Sequence, residues 1–282
     1  MRMLMFAAVP MAAFIAVLVV PLFQGLFFTF TDWDGYSFDS FVGLTNYVSA
    51  VADETFWQSL LFTGGYVLVS LVLVNAVAFS LALLVTSKLR TANIFRTFFF
   101  IPNLIGGVIL GLIWQFVFNR ALTGIAKNYE IPFLETSMLN EPGTAFWALI
   151  IVTVWQMSGY MMIIFITGLM SVERDVLEAA MIDGASAMRL LWSVKIPLMA
   201  QAFTISIFLT LRNSFMAYDV NVALTGGGPY RSTELISVHI FNEAFMFGFM
   251  GTGQAKAIIM FVIVAVIALI QVAISKRFEV QR

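Results

Sequence analysis

Six long apolar runs dominate this chain and restrict what it can fold into. A helix needs about 20 largely apolar residues to cross the hydrocarbon core of a bilayer. Only 11% of the 282 residues are charged, against about 25% in soluble domains, so the apolar surface needs lipid. The pattern predicts an all-α integral membrane protein with about six transmembrane helices in a single domain, residues 1–282. The predicted spans are residues 3–30, 57–87, 97–118, 144–170, 198–217 and 248–275.

The composition argues against several kinds of site. The chain has no cysteine and one histidine, His239, so thiolate sites and two-histidine metal sites are excluded. A net charge of −1 offers no attraction for nucleic acid. The sequence contains no glycine-rich loop ending in the Gly-Lys-Ser/Thr pattern that cradles phosphates. We therefore expect no catalytic site, no metal site and no bound cofactor in this chain.

The basic residues between the runs predict how the chain is oriented. Cytoplasmic loops of membrane proteins carry an excess of Lys and Arg. With both termini in the cytoplasm, ten basic residues fall on the cytoplasmic side and three fall in outer loops. The ten are Arg2, Lys88, Arg90, Arg96, Arg174, Arg189, Lys195, Lys276, Arg277 and Arg282, and the three are Arg120, Lys127 and Arg231.

The two remaining basic residues, Arg212 and Lys256, lie within runs near their expected outer ends. Long basic side chains at such positions can extend their charged ends to the interface. They can instead pair with an acid of the bundle, for which Asp219 and Glu243 are candidates. We expect Lys256 to reach the interface and leave both interpretations open for Arg212.

One segment between the fourth and fifth runs is charged and rich in small residues. We call residues 171–197, SVERDVLEAAMIDGASAMRLLWSVKIP, the polar segment. Glu173 and Asp175 favour a helix start, and Gly184 can take the left-handed backbone that ends a helix. Ser186 can then cap a second helix, so we expect two short helices with a sharp corner. They form either a docking knob for a cytoplasmic protein or an amphipathic pair on the membrane, and the acid-rich first helix favours docking.

The polar segment also resembles the EAA loop of ABC importer permeases. That signature is Glu-Ala-Ala, three residues, glycine, and about a dozen residues later Leu-Pro. The chain departs from it at Leu191, Val194 and Ile196, where Phe, Ile and Leu are usual, and at Glu173, a place often held by proline. The resemblance implies coupling to an ATPase through Glu178, Ala179, Ala180, Asp183, Gly184, Ala185 and Pro197.

Motifs elsewhere are similar to the carbohydrate-uptake branch of that family. They are FTDW at residues 30–33, GLTNY at residues 43–47, Ile101-Pro102, and LTGGGP at residues 224–229, which is typical of the maltose-permease-F-like subunit. The resemblance implies a type I ABC importer permease fold with a cytoplasmic EAA coupling helix. It implies a membrane-spanning subunit of an ATP-driven sugar importer, not an enzyme, in the cytoplasmic (inner) membrane of a bacterium or archaeon.

The same resemblance implies several partners. They are a second homologous permease subunit, two ATP-binding subunits that hold ATP and Mg, an extracytoplasmic sugar-binding protein, the sugar itself and membrane lipid. Together the two permeases would form the translocation path.

Polar residues within or next to the runs are candidates for a substrate path near mid-membrane. Such residues are costly in lipid unless they face the bundle, and each can equally serve in helix–helix hydrogen bonding. A neutral polar site suits a sugar and disfavours a strongly anionic substrate, although Arg212 leaves room for a phosphorylated one. The candidates are Asn75, Asn103, Gln156, Tyr160, Asn213, Ser214, Tyr218 and Asp219. By the resemblance, Asn103, Gln156, Tyr160 and Ser214 also fall where F-like permeases place sugar contacts.

The alternative is an ion-gradient-driven secondary transporter or channel subunit. Such proteins commonly use membrane-embedded carboxylates or broken helices at mid-depth, whereas the acids here cluster in loops or near span ends. A membrane-bound enzyme would need a nucleophile–base pair or a metal constellation, and the sequence offers neither.

Overall fold

The computed structural model describes residues 2–87 and 91–278, with side chains from residue 8 onward. Lys88, Arg90 and Arg282 of the orientation count lie outside the described residues. The described secondary structure is helical apart from one isolated antiparallel bridge between Thr31 and Phe41.

The helices, in chain order, are α1 (Arg2–Phe14), α2 (Val20–Phe28), α3 (Thr45–Ala52), α4 (Glu54–Thr86), α5 (Ala92–Phe100), α6 (Gly107–Phe116), α7 (Leu122–Asn128), α8 (Pro142–Met170), α9 (Arg174–Ile182), α10 (Ala187–Leu190), α11 (Ile196–Leu198), α12 (Ala200–Phe215), α13 (Asp219–Leu224), α14 (Ile236–Phe241) and α15 (Met250–Lys276). Short π-helical or 3-10 turns lie at Ile15–Val19, Ile101–Leu104, Val117–Ala121, Pro132–Leu134, Leu191–Lys195 and Asn242–Met246.

Five helical stretches of the described chain are long and apolar enough to cross a membrane, and a sixth joins them if one bent pair is counted as a single span. The five are Ala8–Phe28, Glu54–Thr86, Gly107–Asn128, Pro142–Met170 and Met250–Lys276, and the bent pair is Ala187–Leu198 with Ala200–Phe215. The prediction of an all-α membrane protein with about six spans is confirmed.

The third predicted span, residues 97–118, is not one continuous helix. Helix α5 ends at Phe100, a 3-10 turn follows, and Ile105 and Gly106 are extended before α6 begins at Gly107. Pro102 lies in the turn, and proline lacks the N–H that an uninterrupted helix needs. Beyond residue 118 the helix continues to Asn128, because no proline follows to stop it until Pro132.

The fifth predicted span, residues 198–217, also differs from the structure. Its helical stretch begins at Ala187 and bends by 70° between Leu198 and Ala200. Pro197 therefore lies within α11, two residues before the bend, where its missing N–H weakens the helix. The segment after the bend, α12, ends at Phe215.

The described residues group into two compact units, and the prediction of a single domain stays a prediction. The larger unit comprises residues 61–87, 91–235 and 264–278. Its core lies where α4, α8 and α12 pack together around buried Val74, Phe165 and Ala202. Glycines permit the close contacts of α8: a Cβ at Gly168 would lie 2.6 Å from the Cβ of Ala202.

The smaller unit comprises residues 2–60 and 236–263. Asn46 at the start of α3 donates to the carbonyl oxygens of Thr29 and Thr31, at 2.9 and 2.8 Å. Nearby, the Phe28 and Trp33 rings stack with centroids 4.1 Å apart. These contacts fix the loop that follows α2, while the apolar side chains of α2 itself stay largely exposed.

Candidate functional site

The corner of the polar segment is a Schellman motif. The N–H of Ala185 donates to the carbonyl oxygen of Ala180 at 3.0 Å, and the N–H of Gly184 donates to Met181 at 3.1 Å. Gly184 has φ +79°, the left-handed value that this helix ending requires and that glycine adopts without strain. Ser186 caps the next helix, because its hydroxyl accepts the N–H of Arg189. The two short helices and their sharp corner are as predicted.

Helix α9 presents an unusual mixed surface. The side chains of Asp175, Glu178 and Asp183 are exposed and make no hydrogen bond or ion pair with any described residue. On the same helix Met181 and Ile182 are 53% and 86% exposed. Ala179 is exposed, whereas Ala180 and Ala185 are half-buried. No described residue packs over this surface of unpaired acids and exposed apolar side chains, which is typical of a site that another protein covers.

A polar cavity of about 360 Å³ lies between α8, the end of α12, the break before α6 and the turn that joins α12 to α13. It is at the small end of the range for ligand cavities. Amides, hydroxyls and one carboxylate share its wall with methionine and small residues. Its lining residues are Tyr66, Asn103, Gly107, Thr153, Gln156, Met157, Asn213, Met216, Ala217, Tyr218, Asp219 and Val220.

The structure brings together most of the predicted path residues, but not all of them. Asn103, Gln156, Asn213, Tyr218 and Asp219 line the cavity. Tyr160, Ser214 and Asn75 do not, and the prediction that they share one site with the others is not supported by their positions. Ser214 is 1% exposed and lies inside the helix packing. Asn75 accepts the Ser206 hydroxyl at 2.6 Å, which is the helix–helix alternative.

Hydrogen bonds fix two walls of the cavity. Gln156 donates through Nε2 to the carbonyl oxygen of Ile105, at 3.3 Å, in the break before α6. Tyr66 and Thr153 share a buried hydroxyl–hydroxyl bond of 2.6 Å. Neither residue is among the predicted path residues. The available signal was that both are polar residues within apolar runs. Asn103 makes no hydrogen bond with any described residue, so its amide is available to a ligand.

Helix α13 packs closely on α6 because two glycines four residues apart face it. A Cβ at Gly111 would lie 2.5 Å from the Cβ of Ala223, and one at Gly107 would lie 2.7 Å from the Cβ of Asp219. Small residues at this spacing let helix backbones approach each other. The Gly107 contact thereby sets where Asp219 enters the cavity.

The LTGGGP loop is fixed by one buried amide, Asn221, which is not among the predicted site residues. Asn221 is fully buried and donates to the carbonyl oxygen of Thr233 at 2.8 Å. Its Oδ1 accepts the N–H of Leu235 at 3.0 Å. Gly226 and Gly227 have φ of +57° and +80°, so the loop needs glycine at both places. Asn221 therefore links α13 to the far side of this loop.

A buried ionic cluster lies in the smaller unit, and it corrects the prediction for Lys256. The side chain is 0% exposed; its Nζ donates to Asp53 Oδ2 at 2.6 Å and forms an ion pair with Glu243 Oε1 at 3.2 Å. His239 Nε2 lies 3.1 Å away as a third acceptor. An ammonium has three N–H groups, and three acceptors surround this one. Lys256 therefore does not reach the interface.

The same cluster includes three groups that can ligate metals, Asp53, His239 and Glu243, with ligand atoms within 4.8 Å of one another. The Lys256 ammonium already lies against all three, hydrogen-bonded to Asp53 and His239 and ion-paired with Glu243. Asp53 lies just before α4 and also accepts from Thr55 at 2.8 Å. Burial would raise the pKa of Asp53, but the hydrogen bonds from Lys256 and Thr55 outweigh it and hold that pKa well below its usual range.

Arg212 remains apart from the acids considered for it. Its Nη1 donates to Asn213 Oδ1 at 3.3 Å, and it makes no ion pair with Asp219. The guanidinium does not line the cavity.

Known proteins similar to this chain are transport subunits. A model of the family described as "Binding-protein-dependent transport system inner membrane component" matches residues 75–280. The chain is 43% identical over 277 residues to the "Probable starch degradation products transport system permease protein AmyD" of Thermoanaerobacterium thermosulfurigenes, covering 98% of this chain and 94% of that protein. It is 35% identical over 277 residues to the "Multiple sugar-binding transport system permease protein MsmF" of Streptococcus mutans, covering 98% and 95%.

Solved structures share the fold. A bacterial ABC transporter involved in the import of the acidic polysaccharide alginate matches with a TM-score of 0.84 at 18% identity, covering 97% of this chain and 95% of that one. A structure of the alginate transporter in complex with its pentasaccharide-bound periplasmic protein matches with a TM-score of 0.81. At this identity the likeness concerns the fold alone.

Proposed function

Because this chain belongs to the family of binding-protein-dependent transport system inner membrane components, we propose that it carries a sugar through the polar cavity beside α8 and α12. It is a transport subunit and not an enzyme. The observation that carries the proposal is the lining of that cavity: amides, hydroxyls and methionine around about 360 Å³. Sugars offer many hydroxyls and an apolar ring face, and such walls bind both. AmyD and MsmF, whose names specify starch degradation products and multiple sugars, support the same cargo.

The polar segment is the proposed route for the driving force. Glu178, Ala179, Ala180, Asp183, Gly184 and Ala185 would contact a cytoplasmic ATPase, with Pro197 shaping the return into the membrane. The exposed acids and apolar side chains of α9 support docking over lying on an anionic leaflet, which attracts basic residues. ATP and Mg would be held by two such ATPase subunits and not by this chain.

The other proposed partners are a second permease and an extracytoplasmic sugar-binding protein. Closure of the ATPases on ATP would move the docked segments of both permeases, and the spans would rock between inward-facing and outward-facing states. The location would be the cytoplasmic membrane of a bacterium or archaeon, with both termini in the cytoplasm. The alternative of an ion-gradient-driven transporter has no support from the family match.

Reconstitution tests the proposal directly. The chain is co-expressed with its second permease and ATPase, purified, and placed in liposomes with the sugar-loaded binding protein. We expect the ATPase to co-purify and ATP hydrolysis to rise when the loaded binding protein is added. A chain that purifies without an ATPase, or that moves sugar without ATP, would contradict the proposed coupling.

Substitution at Gly184 should separate corner geometry from docking chemistry. A left-handed backbone costs a residue with a Cβ about 1–2 kcal/mol, and asparagine tolerates it better than other residues. No atom lies within 4 Å of a Cβ placed there, so the effect is conformational rather than steric. Gly184→Val should lower ATP-driven uptake by at least about fivefold, since 1 kcal/mol corresponds to that factor.

The matched control is Gly184→Asn, which should keep most of the uptake because its backbone can stay left-handed. Both variants should assemble normally, as judged by size-exclusion chromatography with the ATPase. Equal uptake in the valine and asparagine variants would show that the corner conformation is unimportant for coupling.

A second pair of variants tests the boundary of the cavity. Asn103→Leu removes an amide that has no hydrogen bond to any described residue, so assembly should persist while sugar uptake falls by about tenfold, equivalent to 1.4 kcal/mol of lost binding. Ser214→Ala changes a buried hydroxyl outside the cavity and should leave uptake within about twofold, because buried groups without partners contribute little when removed. The reverse order of effects would place the path along the Ser214 face of α12.

A further inference from the structure

Asp219 is the one charged side chain among the described residues that line the polar cavity. It is exposed to that space and makes no hydrogen bond or ion pair with any described residue. A carboxylate with both oxygens free accepts hydrogen bonds and donates none. The wall around it consists of amides, hydroxyls and apolar side chains, so nothing else there carries charge.

The position of this carboxylate is fixed by helix packing. Gly107 leaves the space it occupies: a Cβ at Gly107 would lie 2.7 Å from Asp219 Cβ and 3.4 Å from Oδ2. The neighbouring contact of Gly111 with Ala223 and the Leu224 N–H keeps α13 against α6. Asp219 therefore cannot leave the cavity wall unless α13 separates from α6.

The nearby cation does not cancel the charge. Arg212 is seven residues earlier, and its Nη1 donates to Asn213 Oδ1 at 3.3 Å. It neither pairs with Asp219 nor lines the cavity. Among the described residues, Asp219 is therefore the charged group that faces the cavity directly.

We infer that Asp219 determines the charge of the cargo, and this inference rests on the proposed function of the cavity as a sugar path. Its oxygens accept two hydroxyls of a neutral sugar in charge-assisted hydrogen bonds, which are stronger than bonds between neutral groups. A uronate or a sugar phosphate in the same place brings a second negative charge close to the first. In a partly dehydrated cavity that repulsion lowers the affinity for the anionic sugar by at least about tenfold.

The fold itself does not impose this preference. The alginate transporter, whose cargo is an acidic polysaccharide, shares the architecture with a TM-score of 0.84. The same arrangement of helices therefore serves an anionic cargo there. Selection by charge must then come from side chains in the path, and in this chain the charged side chain is Asp219.

The test compares two probes on the assembled transporter. The chain is co-expressed with its second permease and ATPases and placed in lipid nanodiscs, without the binding protein, so that only the path selects. The probes are maltotriose and its analogue with a terminal glucuronic acid, measured by equilibrium dialysis at neutral pH. The wild type should bind the neutral probe at least about tenfold more tightly, and the ratio should shrink in high salt because salt screens the repulsion.

The isosteric variant Asp219→Asn should bring the two affinities within about twofold of each other, chiefly because it binds the acidic probe more tightly than the wild type does. Asp219→Ser provides a second neutral variant should the first assemble poorly. Glu135→Gln removes an exposed acid outside the cavity and should leave the wild-type ratio unchanged. An unchanged ratio in both Asp219 variants would overturn the inference while leaving the sugar path intact. If the wild type binds neither probe, the proposed sugar path fails, and the inference fails with it.

Discussion

Gly159→Ala should disrupt the assembly of the larger unit. A Cβ at this position in α8 would overlap the carbonyl oxygen of Phe99 and lie 2.5 Å from its carbonyl carbon and 3.0 Å from Phe100 Cα. These are backbone atoms of α5, and they cannot rotate aside as a flexible side chain would. One extra methyl must push α5 away from α8, and overpacking of this kind costs about 1–3 kcal/mol or more.

The displaced segment leads directly into Pro102 and Asn103, so the cavity should change shape while the larger unit loses stability. We expect a lower yield of monodisperse protein and a lower midpoint of heat-induced aggregation, measured by fluorescence-detected size exclusion. Gly143→Ala is the matched control on the same helix, because no atom lies within 4 Å of a Cβ there. Similar behaviour of the two alanine variants would show that α5 and α8 are not in close contact in the membrane.

Lys256→Met should destabilise the smaller unit strongly. The substitution keeps most of the side-chain volume and removes the ammonium that bonds Asp53, Glu243 and His239. Two carboxylates would then face each other in a largely buried place, and breaking a buried ion pair on one side costs about 3–5 kcal/mol. Thermal stability in detergent should fall accordingly.

Two further variants sharpen this prediction. Lys276→Met removes an exposed amine from the end of the same helix and should change the midpoint little. Adding Asp53→Asn and Glu243→Gln to Lys256→Met should recover much of the loss, because the cost comes from uncompensated buried charge. If the triple variant is no more stable than Lys256→Met alone, the cluster is not held together by charge.

The cluster also predicts a dependence on pH. Its hydrogen bonds hold the pKa of Asp53 below the ordinary value of 3.8. A depressed carboxyl pKa contributes stability that is fully present above the ordinary value and is lost as the pH falls below it. Wild-type protein should therefore lose thermal stability below about pH 4 by more than Asp53→Asn does, when both are followed by the same size-exclusion assay.

Local patterns in the sequence predicted the local structures well. The corner of the polar segment depends on Gly184, Ser186 and the hydrogen bonds of adjacent turns, so its signals all lie within about ten residues. The apolar runs likewise contain their own evidence, because span length is set by bilayer thickness. The break in the third run was less visible, since Pro102 sits in a sequence that is otherwise apolar enough to continue.

Contacts distant in sequence could not be predicted in the same way. Lys256 was expected at the interface because it lies near the outer end of a run. Glu243, one of its two acid partners, was considered as the alternative, but Asp53 was not, because it is 203 residues away and no periodicity connects the two. In the cavity, Gln156 and Tyr160 share one helix face, yet only Gln156 lines the wall. The cavity ends within one turn of α8 because its other walls include the break before α6 and the turn that joins α12 to α13. The first of these lies inside a predicted continuous span.

The Schellman corner at Gly184 has a consequence for how such a subunit could change partners. The angle between α9 and α10 is set by main-chain hydrogen bonds and one glycine, and the exposed side chains of α9 take no part in it. The docking residues of α9 can therefore be substituted to fit a different ATPase surface without altering the angle between the two helices. Recognition and force transmission would then be separately adjustable within fifteen residues of chain.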